Sequence, residues 1–175
     1  MKKIKGFTLI EIIVVIAIIG VLAAILVPAM AGYIKKSKIS SANDDASSIM
    51  KAVSIACSEM DEEEIIVPDG DYYSAAGSAT LTSSVPVSGN FALQDFYDAI
   101  KPYMGEIEGY EFAFTVKDNM CMAVATKTSN YFGSKPTVLS NKNYNTHINS
   151  STTCNDVLLL AKNKFNSTHP ADQQI

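Results

Sequence analysis

From Phe7 to Val27 the chain is almost unbroken in apolar residues, roughly 21 in a row, and that run limits what the chain can fold into. As an α-helix rising ~1.5 Å per residue it covers the ~30 Å hydrocarbon core of a bilayer. One carboxylate interrupts it, Glu11. A charge inside a membrane helix costs about 2.5–3.5 kcal/mol near the helix centre, so Glu11 needs a compensating interaction. It lies one helical turn after Phe7, where the partial positive charge of a helix N-terminus favours an anion. A chain cut between Gly6 and Phe7 would place a new, positively charged α-amine one turn below that carboxylate.

The residues at this point, Lys5-Gly6-Phe7-Thr8-Leu9-Ile10-Glu11, follow a short basic leader and precede a helix of Ile, Val, Leu and Ala. They resemble the N-terminus of type IV pilins and related pseudopilins, a likeness that fades near Lys35. The resemblance implies that a prepilin peptidase in the membrane removes the leader after Gly6 and methylates the amine of Phe7. It also implies that Glu11 recruits subunits into a filament by pairing with a neighbouring subunit's N-terminal amine. Orientation rests on the same likeness, with the leader inside and the body outside. Charge does not decide it, because Lys2, Lys3 and Lys5 before the span are matched by Lys35, Lys36 and Lys38 after it.

Three plainer readings compete for the stretch. Ala29-Met30-Ala31 resembles a signal-peptidase site, but the apolar run exceeds an ordinary h-region of about 7–15 residues and contains a glutamate. A simple single-span anchor leaves Gly6-Phe7 without a role. A buried helix of a soluble domain is disfavoured by length and hydrophobicity.

Gly20, Pro28 and Gly32 weaken the helix. Proline removes a backbone hydrogen bond and clashes with the carbonyl of Ala24, and each glycine costs ~1 kcal/mol. The chain should therefore bend or loosen around Pro28 and Gly20, which in membrane helices is also tolerated incidentally. The pilin likeness implies a segment that can unwind within a filament. Beyond Lys35 the helical period continues in Ile39, Ala42, Ala46, Ile49, Met50, Val53, Ala56, Cys57 and Met60, one apolar stripe opposite a polar face. The acidic run Asp61-Glu62-Glu63-Glu64 closes the helix. Adjacent carboxylates at a helix end diverge, so they read as a solvated stretch and not as a calcium site.

Residues 65–90 carry turn signals at Asp69-Gly70, Gly77, Pro86 and Gly89-Asn90, and read as a surface connection with one short strand. Phe91 to Met104 has helical spacing, ended by Gly105. The clearest hairpin joins Tyr110-Val116 to Met120-Val124. A three-residue loop, with Asn119 left-handed, pairs Phe114 with Met122 and Phe112 with Val124 and puts the large side chains on one face, over the helix stripe. Thr137-Val138-Leu139 is a candidate third strand, Val157 to Ala161 a short helix, with a last strand as the alternative, and the tail from Asn166 a frayed end.

The fold class is thus α+β, a long N-terminal helix packed on a small antiparallel sheet. Its parts are a leader (1–6), a membrane or filament-core helix (7–33), its amphipathic continuation (34–61) and a globular head (62–175).

The net charge of −4 includes the three leader lysines, so the processed chain is more acidic still. That argues against a nucleic-acid partner held by phosphate neutralisation. All fourteen basic residues are lysine, which removes bidentate arginine clamps. His147 and His169 have no partner at metal-ligand or catalytic spacing, and there is no phosphate-binding glycine loop or nucleophile elbow. No catalytic, cofactor or metal site is assigned. Asn149-Ser150-Ser151 and Asn166-Ser167-Thr168 match the glycosylation triplet. In the hairpin register above, Cys121 points away from Cys57, which favours Cys121 with Cys154; pilins often carry a disulfide in this part of the chain. Three reduced cysteines are the alternative, with Cys57 an inert buried thiol.

The resemblance implies a type IV pilin precursor, held in the cytoplasmic membrane by a single span and then polymerised by membrane assembly machinery into an extracellular filament of identical subunits. A pseudopilin of a secretion or DNA-uptake machine shares every N-terminal feature. A membrane-anchored surface binding domain is the alternative from another class.

Overall fold

The computed structural model describes residues 7–87, 89–105 and 109–175. The leader, including Gly6, lies outside the described residues. The chain divides into two compact units, Met1–Ser37 and Lys38–Ile175. One helix, α1 (Leu9–Glu62), contributes to both.

In the first unit α1 is helical through Gly20, Pro28 and Gly32. Its side chains from Phe7 to Ile34 meet almost nothing within the chain, and the apolar segment has no buried residue. The run is long and apolar enough to cross a membrane.

In the second unit the rest of α1 packs on a five-stranded antiparallel sheet ordered β2-β1-β3-β4-β5. The strands are β1 (Gly70–Ser74), β2 (Thr82–Ser83), β3 (Glu111–Lys117), β4 (Met120–Thr128) and β5 (Tyr131–Lys135). Helix α2 (Leu93–Ile100) runs into a 3-10 turn at Lys101–Tyr103, where Pro102 enters. A single turn, α3 (Tyr144–His147), precedes α4 (Cys154–Asn166).

The two sheet faces are sorted by side-chain size. On the α1 side Tyr72, Phe112, Phe114, Val116 and Val124 join Ala46, Ile49, Val53, Ala56 and Met60 and the apolar face of α2 in one buried layer. Tyr72 stacks on Phe114 at 5.2 Å between centroids, and Phe96 meets both edge-on. On the other face Ala113, Ala123 and Ala125 keep the sheet low, so α4 can close on it with Cys154, Val157, Leu158 and Ala161.

The β3–β4 hairpin differs from the sequence expectation. Asp118 and Asn119 both have positive φ, 51° and 59°, the two-residue type I′ pattern, and Lys117 pairs with Met120. A plain two-residue turn would split the large side chains between faces. A bulge prevents this: Val116 pairs with Cys121 while Thr115 pairs with Ala123, leaving Met122 without a partner. Phe114 then lies opposite Val124 and Phe112 opposite Thr126. The two-residue turn, by pairing Val116 with Cys121, turns Cys121 toward α1, whereas Cys154 lies on the opposite face. The Cys121–Cys154 disulfide is therefore corrected: the sheet stands between these residues, and all three cysteines are free and buried.

Three further differences have local causes. Residues 65–90 hold two strands, and β1 is an inner strand paired with β3 along its full length. The third strand of the expected meander is Tyr131–Lys135, and Thr137–Leu139 has no strand structure. The tail is held in place: Asn166 donates to Ile175 O and accepts from Ile175 N, each at 2.8 Å, and Lys117 Nζ donates to Gln174 O.

The β5 edge is closed to further pairing. Its outward N–H groups donate to side chains, Phe132 N to Tyr144 OH at 2.7 Å and Ser134 N to Asn43 Oδ1 at 3.0 Å. Between them Gly133 lets the strand approach α1 so closely that a Cβ there would stand 1.9 Å from Ala42 O.

Candidate assembly and processing site

Helix α1 starts through its own side chains. Thr8 N and Thr8 Oγ1 donate to Glu11 Oε2 at 2.8 and 2.7 Å, and Glu11 N donates back to Thr8 Oγ1 at 3.3 Å. This is a capping box, in which Thr8 caps the helix and Glu11 satisfies a backbone N–H that helix geometry leaves unpaired. The pattern Thr-x-x-Glu before an apolar run was present in the sequence, but the reading above gave Glu11 a partner only in a cleaved amine. Among the described residues, nothing hydrogen-bonds to Glu11 Oε1.

Phe7, the residue ahead of the cap, is 86% exposed. The site therefore consists of an exposed aromatic, a threonine cap and a carboxylate within one turn, at the head of a helix with apolar side chains exposed all round. Such a helix end can accept a cation at the free carboxylate oxygen and bury its sides in lipid or against other helices. Of the residues singled out from sequence, the structure brings Glu11 beside Thr8 and places Phe7 next to them. Gly6 is outside the described residues, and Pro28 and Gly20 lie within the continuous helix.

The second unit holds no comparable chemistry among the described residues. No cluster of His, Cys, Asp and Glu could hold a metal ion there. His147 closes the α3 turn, while His169 stacks on Phe165 at 3.7 Å and contacts Phe165 O at 2.8 Å. Burial pushes the Cys57 thiol up to about 12. Burial likewise raises Cys121 and Cys154, with smaller contributions from Cys57 and Glu111 respectively. These are poor nucleophiles.

Comparison with known proteins bears on the same end of the chain. Residues 1–27 match the model of the prokaryotic N-terminal methylation motif. Fimbrial protein EcpC of Eikenella corrodens is 54% identical over 50 residues, 29% of this chain and 33% of the relative. The type IV major alpha-pilin of Moraxella bovis is 49% identical over 55 residues, 31% of this chain and 35% of the relative. Type IV major fimbrial protein FimA of Dichelobacter nodosus is 45% identical over 49 residues, 28% of this chain and 31% of the relative. The chain thus spans about a third of the length of these relatives, and no solved structure matches it. The names of these relatives describe pilins and fimbrial proteins, not enzymes.

Proposed function

Because the N-terminal region of this chain is that of the type IV pilin family, we propose that the whole chain is a filament subunit, cleaved after Gly6, methylated at Phe7 and polymerised through α1. The observation that carries this reading is the Thr8–Glu11 cap at the start of a helix whose apolar surface is exposed on every side. A membrane-buried carboxylate with one oxygen unsatisfied is costly, and a neighbouring subunit's methylated amine removes that cost by supplying a cation and its hydrogen bonds. Glu11 thereby sets the register of an incoming subunit. The apolar surface of residues 7–33 is lipid-facing before assembly and helix-facing after it. Pro28, with Gly20 nearby, marks where that segment can loosen inside the filament, since the Ala24 carbonyl has no donor at Pro28. The second unit then forms the filament's outer surface.

The names of the matched relatives favour a major surface filament over the short assembly of a pseudopilin, and Glu11 separates both from a plain membrane anchor. Glu11→Ala should leave cleavage and membrane insertion intact while reducing filament yield in sheared surface material by at least tenfold, read by immunoblot of sheared and membrane fractions. Filaments at the level of the unaltered chain would contradict the assembly role and support the anchor.

A further inference from the structure

Helix α4 covers the outer face of β3, β4 and β5 and stops short of β1 and β2. The step it leaves contains two hollows of about 400 and 420 Å³, each in the size range of ligand pockets. They share Asp71, Ser84 and Lys162. Lys162 Nζ lies 2.9 and 3.0 Å from the two Asp71 oxygens, and Thr115 Oγ1 donates to Asp71 Oδ1 at 2.6 Å. An ion pair thus forms the ridge between the two hollows.

The lining indicates what would suit the space. Among the described residues lining the first hollow the charged side chains are Asp71 and Lys162, which neutralise each other. In the second, two carboxylates, Asp69 and Asp71, face two ammonium groups, Lys117 and Lys162. Neither has side-chain charge to spare for an ion. The Ser84 hydroxyl borders both hollows and the exposed Asn155 amide borders the first. Beside these polar groups Leu159 is 58% exposed and the Tyr73 ring borders the same hollow. Alternating hydroxyl-seeking groups and apolar surface match a sugar ring, with hydrogen-bonding hydroxyls at its edge and C–H groups on its face.

We propose that this step on the outer face of the second unit binds a neutral saccharide, with one sugar ring against Tyr73 and Leu159 and the next across the Asp71–Lys162 ridge. Asp71 accepts hydroxyl donors at the remaining lone pair of Oδ2, which it shares with Lys162, and Asn155 bonds the ring edge. The site does not depend on the filament reading and is tested on unassembled full-length chain.

The test is saturation-transfer NMR on the full chain in micelles of a sugar-free detergent, with cellobiose, lactose and diacetylchitobiose as probes and inorganic phosphate and free glutamate as charged competitors. Transfer to at least one disaccharide is expected, unaffected by the charged competitors. Asn155→Ala should weaken it about fivefold, the effect of losing one hydrogen bond, and Leu159→Arg should abolish it. Both positions are exposed, and an unchanged amide fingerprint outside α4 verifies the fold. Three results would overturn the proposal: no transfer to any of the three disaccharides, transfer indifferent to both substitutions, or displacement by phosphate or glutamate.

Discussion

Gly133 shows how much can depend on a missing side chain. The backbone of β5 approaches α1 so closely that any Cβ would collide with the Ala42 carbonyl, which belongs to backbone and has little room to move. Asn43 then ties the two elements, accepting from Ser134 N and donating to Leu139 O at 3.2 Å. Gly133→Ala should cost at least the ~1–3 kcal/mol typical of an overpacked core, read as a lower midpoint in chemical denaturation. An unchanged midpoint would mean that strand and helix can part without loss. A second residue-scale case is the capping box of α4, in which Asp156 accepts from Thr153 N at 2.8 Å and from Thr153 Oγ1 at 2.7 Å. These bonds hold its carboxyl below the usual value of 3.8. A carboxyl depressed in the folded state contributes stability that is complete above its unfolded pKa and is lost as pH falls through the folded one. Thr153→Ala should therefore lower stability by about 1 kcal/mol at neutral pH, and the difference from the unaltered chain should shrink in melts taken below pH 3.8.

At the scale of elements, sequence legibility followed periodicity. The stripe of α1 from Ile39 to Met60, the apolar face of α2 and, in the run Val157–Ala161, Val157, Leu158 and Ala161 appeared in the sequence and are buried. The hairpin was legible in position and illegible in register. Alternation of Tyr110, Phe112, Phe114 and Val116 fixes which face β3 buries, but in β4 the bulge at Met122 breaks the alternation, and no local signal marks a bulge. Met120 and Met122, expected in the core, are exposed and half-buried, while Cys121 takes the inner place. One short strand was expected in residues 65–90 without a position, because Asp69-Gly70 reads as a turn, and β5 was missed because Gly133 and Ser134 interrupt its apolar pattern. Both cases involve residues selected for close approach or edge pairing, which depends on neighbours distant in sequence. The turn offers a direct test. Asn119 takes a left-handed conformation and its Nδ2 donates to Cys57 O at 3.1 Å, joining hairpin to helix. Asn119→Ala loses that bond and places a Cβ-bearing residue with no compensating polar group at positive φ, for an expected cost of about 1–3 kcal/mol. Equal thermal stability of the two chains would show that the clasp between hairpin and helix contributes nothing.

On the scale of the whole molecule, the division of labour follows from where apolar surface is buried. From Lys38 onward the chain buries its apolar residues in its own two layers. Before Ser37 it leaves Ile, Val and Leu side chains exposed in a density that water does not tolerate. Those residues need lipid or other helices, and in the proposed assembly the Thr8–Glu11 cap at their head is the fixed anionic point that an incoming subunit meets. Of the candidate site, Phe7 and Glu11 stand in a compact motif legible in sequence, and Gly6 lies outside the described residues. Thr8 was the part overlooked: Thr-x-x-Glu ahead of an apolar run signals a capping box in sequence, and the hydrogen bonds show Glu11 capping its own helix. The most direct test of the account is the intact mass and first residue of the protein recovered from sheared cell-surface material. The account predicts a species beginning at Phe7 and carrying one additional methyl group on its amine. A species beginning near Gly32 would mean that a conventional signal peptide had been removed together with Glu11, and assembly through that carboxylate would be contradicted.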